Sequence, residues 1–176
     1  HQLPIYESTG RWSSIKIHAS DQEYLLVNHY FHSHSHTRRM VHCENIKNNW
    51  ITHDNLIMAG DWNCVEDLER DKVSSVNAVS NDNMTHFSEF ISNHRLIDSY
   101  IETYDMADSD KPIYFTHNAH QGTIARLDRF YHSALINESV FNLIDLDEHG
   151  ECTTPLPAIK TNHMPIGITV ILPNDQ

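Results

Sequence analysis

One short segment of the chain combines residue types that water and phosphate chemistry need. An apolar run over residues 55–59 predicts a buried strand, and Gly60-Asp61-Trp62-Asn63 follows it directly. Gly60 permits a close turn of the backbone at the strand end. If Asp61 and Asn63 point the same way, as residues i and i+2 do in extended chain, a carboxylate and an amide converge there. The carboxylate can activate water or hold a cation, and the amide can orient that water or bind a phosphate oxygen.

Two further segments place polar residues beside predicted strands. In Arg126-Leu127-Asp128-Arg129-Phe130-Tyr131, alternation puts Arg126, Asp128 and Phe130 on one face and the other three residues on the opposite face. An Asp between two Arg is most often a structural ion pair. Thr161-Asn162-His163-Met164-Pro165 is a polar loop that enters a strand, where a lone His is most often a surface residue. Each segment alone therefore has an ordinary structural explanation, as does Gly60–Asn63, because Gly, Asp and Asn are frequent in turns.

The hydrophobic pattern predicts the elements that position these segments. We predict strands at 14–18, 23–31 and 55–59, helices at 37–50 and 84–96, and a loop over 61–80. Thr37 is the expected N-cap of the first helix. Further strands are predicted at 112–116, 123–132, 140–146 and 165–172. This order predicts one α/β (α+β) domain over 1–176 with a largely antiparallel second half.

Composition narrows the classes of function. The 176 residues include 12 basic and 24 acidic ones, a formal net charge of −12, so a broad basic face for nucleic acid is not expected. An acidic enzyme can still act on an anionic substrate if a divalent cation supplies the local positive charge. No apolar run approaches the roughly 20 residues of a membrane span, so no membrane partner is expected. Three widely separated cysteines predict a reducing, intracellular location, nuclear or cytoplasmic.

In their order along the chain, the three segments resemble the motifs of the endonuclease/exonuclease/phosphatase (DNase I-like) superfamily. Finer details resemble the endonuclease domain of non-LTR (LINE-type) retrotransposons: Cys64-Val65 after the first motif, Glu69-Arg70-Asp71-Lys72, Leu96-Ile97-Asp98, Tyr114-Phe115-Thr116 and Ala125 to Ser133. The resemblance implies a four-layer α/β/β/α sandwich of two mainly antiparallel sheets. It covers the C-terminal two-thirds of the family domain, so we expect the fold to be incomplete at the N-terminus.

The resemblance also implies a reaction, Mg²⁺- or Mn²⁺-dependent hydrolysis of phosphodiesters that nicks DNA. Asp61 would position or deprotonate the attacking water, and Asn63 would help to hold that water and the phosphate. His163 would contact a phosphate oxygen, with Asp128 fixing its tautomer. Supporting substrate contacts would come from Tyr30, Thr116 and Thr161. The expected partners are DNA and a reverse transcriptase domain of the same polyprotein.

Two departures from the family pattern keep other functions open. Asn162 stands where the family usually has an Asp beside the metal, and an amide there is a weaker ligand for a hard cation. An early Asn and a metal-binding Glu of the family have no counterpart in a matching context. The alternatives are therefore a catalytically inactive relic or interaction domain of the same fold, or a phosphatase of the superfamily that acts on a small molecule.

A run of alternating histidines is a separate signal. His32, His34 and His36 would stack on one face if the segment were a strand, and could then trap Zn²⁺ or Ni²⁺. We expect a solvated loop instead, because such short matches are often accidental.

Overall fold

The fold is known from a computed structural model, which describes residues 5–6, 10–19, 21–73, 84–104, 115–119, 123–134, 136 and 163. These residues form nine strands and three helices. The strands are β1 (Ile5–Tyr6), β2 (Trp12–Ala19), β3 (Gln22–Tyr30), β4 (Leu56–Asp61), β5 (Lys72–Val73), β6 (Leu96–Asp98), β7 (His117–Ala119), β8 (Thr123–Ala125) and β9 (Asp128–Ser133). The helices are α1 (His36–Asn49), α2 (Met84–Asn93) and α3 (Ser99–Tyr104).

Two sheets organise the described chain. The larger has six strands in the order β1-β2-β3-β4-β9-β6, and the smaller has three in the order β5-β8-β7. Every pairing is antiparallel except that of β3 with β4, which α1 connects. A parallel pair needs such a crossover, because its strands start at the same edge of the sheet.

Alternation along β3 and β4 explains how the large sheet packs. Val27 on β3, Phe31 directly after it, and Leu56 and Met58 on β4 belong to one buried cluster. Helix residues such as Phe87 complete this cluster. Trp62, Tyr131 and Ile46 are also fully buried there. One face of the sheet is therefore covered by α1 and α2, which also contact each other. The opposite face carries a smaller cluster of Leu26, Ile57 and Ile136.

Helix α1 begins earlier than the sequence predicts. Ser35, not Thr37, is the N-cap: it has extended backbone and its Oγ accepts a hydrogen bond from the N–H of Arg38. Both residues are good caps, and the structure uses the first of them. His36 therefore opens the helix, while His32 and His34 precede it outside any strand, so the three imidazoles do not line one strand face.

Four other predicted elements differ from the structure. The strand expected at 123–132 is broken at residues 126–127 into β8 and β9, which lie in different sheets. The loop expected over 61–80 contains β5, and the helix expected at 84–96 ends at Asn93, before β6. Of the strand expected at 112–116, the structure describes residues 115–116, which lie outside any strand, and β7 begins at His117. The strands predicted at 140–146 and 165–172 lie outside the described residues.

The described elements form an α/β sandwich of two mainly antiparallel sheets, as the sequence predicts. Cys43 and Cys64 are both free thiols. Within the described part of the chain, every helix is too short or too polar to cross a bilayer.

Candidate active site

Three strands of the large sheet bring polar side chains to one edge. Tyr30 ends β3, Asp61 ends β4 and Asp128 starts β9, and the three are direct neighbours across the sheet. Residues opposite each other in neighbouring strands project to the same face. The strand register thus sets a tyrosine and two carboxylates side by side at the place where the strands end.

The backbone at the end of β4 is unusually crowded. Gly60 has a φ of +151°, and a Cβ built on it would lie 1.9 Å from the carbonyl oxygen of His29 on β3. Any side chain at this position would therefore collide with the neighbouring strand. Asn63 follows with a φ of +48°, in the left-handed region that Asn tolerates better than most residues.

Asn63 holds the carboxylate of Asp61 in a fixed orientation. Its backbone N–H donates to Asp61 Oδ1 at 2.8 Å, and its Nδ2 donates to Asp61 Oδ2 at 2.9 Å. The same Nδ2 also donates to the carbonyl of Phe31 at 2.9 Å. Both amide hydrogens of Asn63 are therefore engaged, which leaves its Oδ1 as the atom that can accept from a water. Burial raises the pKa of Asp61, and the nearby negative charge of Asp128 acts in the same direction.

His163 reaches this edge from far along the sequence. Its Nδ1 lies 2.9 Å from Asp128 Oδ2, and its Nε2 lies 3.9 Å from Asp61 Oδ2. An ionised carboxylate can only accept, so the contact with Asp128 fixes the ring proton on Nδ1. Nε2, the atom that can then exchange a proton, faces Asp61.

Thr116 holds the backbone at Asp128 through its side-chain hydroxyl. This buried hydroxyl accepts hydrogen bonds from the backbone N–H groups of Leu127 at 3.0 Å and Asp128 at 2.9 Å. It therefore ties the start of β9 to the segment before β7. Thr116 shapes the site by holding the backbone in place.

His117 is a further residue of this region that sequence analysis does not single out. It forms an isolated β-bridge with His163, and the two rings are 4.7 Å apart between centroids. Burial lowers the pKa of His117, and the neighbouring imidazole of His163 lowers it further. Its place directly after Thr116 in a family motif is the one sequence signal that could have drawn attention to it.

The remaining predicted site residues are only partly accounted for. Tyr30 is 47% exposed, and the Arg11 guanidinium lies 5.2 Å from its ring centroid. Its hydroxyl is therefore available at the rim beside Asp61. Thr161 and Asn162 lie outside the described residues.

The carboxylate edge has the donor set of a cation site. Asp61, Asp128 and His163 each offer one ligand atom, and these atoms lie within 4.8 Å of one another. Mg²⁺ binds through one or two carboxylates and completes its shell with water and substrate phosphates. Each carboxylate oxygen keeps a second lone pair beyond the contacts described above. Asp61 and Asp128 thus fit a hard cation such as Mg²⁺ or Mn²⁺, for which imidazole is the less suitable ligand.

The two arginines that flank Asp128 in the sequence do not pair with it. Arg126 contacts Asp98 at 2.7 Å and Asp71 at 3.0 Å, and Arg129 contacts Asp71 at 3.5 Å. Arg126 precedes β9 and turns to the buried side with Arg129, which corrects the alternation predicted for this segment. Asp128 is consequently left to His163.

Arg70 also contacts Asp71. We call the group formed by Arg70, Asp71, Asp98, Arg126 and Arg129 the Asp71 network. Arg70 donates to both oxygens of Asp71, at 2.8 and 2.9 Å. Burial alone would raise the pKa of Asp71, but the hydrogen bonds from Arg70 and the charges of Arg126 and Arg129 hold it well below its usual range. Arg70 and Arg129 are therefore occupied by an internal carboxylate, which accounts for two of the arginines that could otherwise contact a DNA backbone.

Comparison with solved structures shows which known proteins have a similar fold. The 3′ phosphatase NExo from Neisseria, bound to a product DNA hairpin, superposes with a TM-score of 0.66 at 12% identity, over 94% of this chain and 66% of that one. The endonuclease domain of TRAS1, a telomere-specific non-LTR retrotransposon, superposes with a TM-score of 0.59 at 13% identity, over 98% and 70% of the two chains. This chain has the DNase I-like fold.

The DNase I-like fold is recognised here from structure and not from overall sequence similarity. No protein-family model and no curated protein matches the sequence. The 3′-5′ exonuclease structure of NExo from Neisseria meningitidis is similar as well, with a TM-score of 0.60 at 13% identity over 92% of this chain and 65% of that one. The chain spans about two thirds of the length of the NExo structures.

Proposed function

We propose that the chain is a metal-dependent phosphodiesterase domain that nicks DNA, of the type found in retrotransposon polyproteins. The observation that carries the proposal is the convergence of Asp61, Asp128 and His163, which lie up to a hundred positions apart in sequence, within ion-pair distance. The DNase I-like fold supports phosphodiester hydrolysis as the reaction class. The motif details after Asn63 favour the retrotransposon type.

In this proposal the two carboxylates have different roles. Asp61, clamped by Asn63, accepts the proton of the attacking water. Asp128 holds His163 so that Nε2 faces the phosphate, where the doubly protonated ring donates a hydrogen bond from Nε2 to a non-bridging oxygen. Tyr30 contacts the phosphate from the rim.

The same edge would hold the divalent cation through Asp61 and Asp128. Bound there, Mg²⁺ or Mn²⁺ supplies Lewis-acid stabilisation of the negative charge that develops on the phosphate and the leaving oxygen. The Asn63 carboxamide keeps the Asp61 carboxylate oriented toward that position.

A plasmid-nicking assay tests the proposal. Supercoiled DNA is incubated with the wild-type chain and Mg²⁺, with EDTA, and with His163→Ala. We expect conversion to the open circle only with the cation, and a loss of about 10²–10⁴-fold in His163→Ala, the usual contribution of a positioned proton donor.

His18→Ala is the matched control, because His18 is an exposed histidine on β2. It should nick DNA at the wild-type rate. Nicking that survives His163→Ala would remove the residue from the mechanism, and no nicking at high protein concentration would contradict the proposed activity itself.

A second candidate is an inactive domain of the same fold, and Asn162 is the observation that favours it. A neutral amide at the position where the family usually has a metal-binding Asp is a weaker ligand for a hard cation. This candidate predicts no Mg²⁺-dependent nicking by the wild-type chain. Nicking that appears or rises strongly in Asn162→Asp would show that the machinery is intact and limited by this one ligand.

A further inference from the structure

A polar pocket lies directly beside the candidate active site and shares two of its residues. Asn63, which clamps Asp61, and His117, which contacts the ring of His163, both line it. Arg39 and Lys72 line the same pocket from α1 and β5. We call this cavity the lysine pocket.

The charge of the lysine pocket is opposite to that of the chain. None of the described residues that line it is Asp or Glu, although the protein has 24 acidic residues and a net charge of −12. Among the described residues, neither Arg39 nor Lys72 has a carboxylate within ion-pair distance. Arg39 is buried, and its Nη1 donates to the backbone carbonyls of His32 at 2.8 Å and Ser33 at 3.2 Å. Those contacts fix its position without neutralising its charge.

This uncompensated charge is costly unless an anion shares it. Burying an unpaired cation is unfavourable, and buried charges are normally paired. Arg70, Arg126 and Arg129 illustrate the normal case, because all of them contact Asp71. Arg39 and Lys72 differ from them in facing an open cavity.

The size and lining of the pocket limit what it can hold. Its volume is about 220 Å³, which is below the range of about 300–1,000 Å³ that encloses a drug-sized ligand. Val65, Leu68 and Leu127 add apolar side chains to the lining. A phosphate with its attached sugar matches both the volume and this combination of cationic and apolar lining residues.

We propose that the lysine pocket binds the phosphate and sugar of the nucleotide that neighbours the scissile phosphate. The proposal rests on the proposed function, since it assumes that the Asp61–His163 centre holds a phosphodiester. It assigns a substrate class to that centre: a nucleic-acid strand with at least two consecutive phosphates, and not a small isolated phosphoester. Lys72 and Arg39 are then substrate-binding residues.

Binding of DNA without cleavage tests the pocket. A fluorescein-labelled single-stranded oligothymidylate is titrated with wild-type chain and with Lys72→Gln in EDTA, at several KCl concentrations, and fluorescence anisotropy is measured. Loss of one phosphate contact should weaken binding and lower the slope of log K against log salt by about one. Thermal melting confirms that the variant folds.

Lys47→Gln is the matched control, because it removes the same charge from an exposed lysine of α1 that pairs with Glu44 and does not line the lysine pocket. It should leave the slope unchanged. An equal slope for wild type, Lys72→Gln and Lys47→Gln overturns the proposal, as does failure of the wild-type chain to bind the oligonucleotide.

Kinetics separate this proposal from the proposed function. Lys72→Gln should lower kcat/KM for an oligonucleotide and leave hydrolysis of bis(p-nitrophenyl) phosphate unchanged. A wild-type chain that hydrolyses neither substrate contradicts the proposed function, while the anisotropy slopes still decide the pocket. Equal losses on both substrates contradict the pocket and leave the function standing.

Discussion

Two clusters of charged residues share one short segment of the sequence and differ in burial and in charge. The Asp71 network is largely buried, with three guanidinium groups around Asp71 and one of them bridging to Asp98. The candidate active site is partly exposed and acidic, with Asp61 and Asp128 facing the single imidazole of His163. Arg126-Leu127-Asp128-Arg129 contributes to both.

The comparison of the two clusters shows what distinguishes a structural ion pair from a site that can bind a ligand. In the Asp71 network both carboxylates have cationic partners inside the protein, so neither needs a cation from solution. At the Asp61–His163 edge the carboxylates exceed the available cationic partners, which is the condition in which a cation and a phosphate can bind. Removing a carboxylate should therefore affect stability in one cluster and activity in the other.

The largest expected effect is on catalysis. Asp61→Asn removes the proposed base and replaces one of the two oxygens that accept from Asn63, so nicking should fall by about 10²–10⁴-fold. Its free energy of unfolding in urea should change little, because the lost hydrogen bond opposes the gain from removing a charge that burial disfavours. Full nicking activity in a stable Asp61→Asn would place the site elsewhere.

The opposite pattern is expected for the Asp71 network. Asp71→Asn leaves buried arginines without their carboxylate, which typically costs about 3–5 kcal/mol of stability. Urea denaturation measures it, and the variant should be found largely in inclusion bodies if the wild type is only marginally stable. The nearby Asp67→Asn is a control: Asp67 accepts only backbone N–H groups in an exposed turn, so its loss should cost far less.

Acid should weaken the fold through His29. This fully buried histidine packs against Phe31, Trp62 and His42, and burial holds its pKa well below the usual range, with His42 acting in the same direction. The unfolded chain then binds more protons, so stability present above pH 6.5 is lost as the pH falls, by about 1.4 kcal/mol per unit. His29→Phe should flatten the dependence of the urea midpoint on pH below 6.5. An unchanged pH dependence in this variant would contradict the assignment.

A change at Thr116 should affect both stability and activity. Thr116→Val removes the acceptor for the N–H groups of Leu127 and Asp128, which should cost about 1–3 kcal/mol and displace Asp128. We expect a lower melting temperature together with a lower kcat for nicking. Thr116→Ser keeps the hydroxyl and should restore both; a kcat that stays low in Thr116→Ser would point to a direct role in substrate contact.

The smallest effect concerns the start of α1. Ser35→Ala should cost about 1 kcal/mol, the usual value of a helix cap, whereas Thr37→Ala should be nearly neutral. Circular-dichroism melts of the two variants compare them directly. A larger loss of stability in Thr37→Ala than in Ser35→Ala would show that Thr37 is the N-cap, as the sequence pattern predicts.

The fold class was predictable because long periodic segments dominate it. The apolar run of β3 and the spacing of α2 are local signals. The order of the Asp61, Asp128 and His163 motifs points to the DNase I-like fold even though overall identity to solved structures is low. The points at which strands end were harder to predict. Nothing local marks the end of β8 at Ala125, because Arg126 turns inward only to meet Asp71 and Asp98.

The candidate site was predictable in its residue types and not in its supporting contacts. The types and order of the motif residues are visible in the sequence, whereas the positive φ of Asn63, the role of Thr116 as a backbone acceptor and the proximity of His117 depend on tertiary packing. The lysine pocket is a stronger example, because Arg39 and Lys72 belong to distant elements and share a cavity only in the folded chain.

Gly60 has a consequence for how related sequences should be interpreted. With the carbonyl of His29 occupying the place of a methyl group, the position admits only glycine whatever the chain does chemically. An invariant glycine there in an alignment, or complete intolerance in a mutational scan, would be expected equally of an active nuclease and of a descendant that has lost its chemistry. Retention of Asp61 and His163 in homologues separates the two histories, and retention of Gly60 does not.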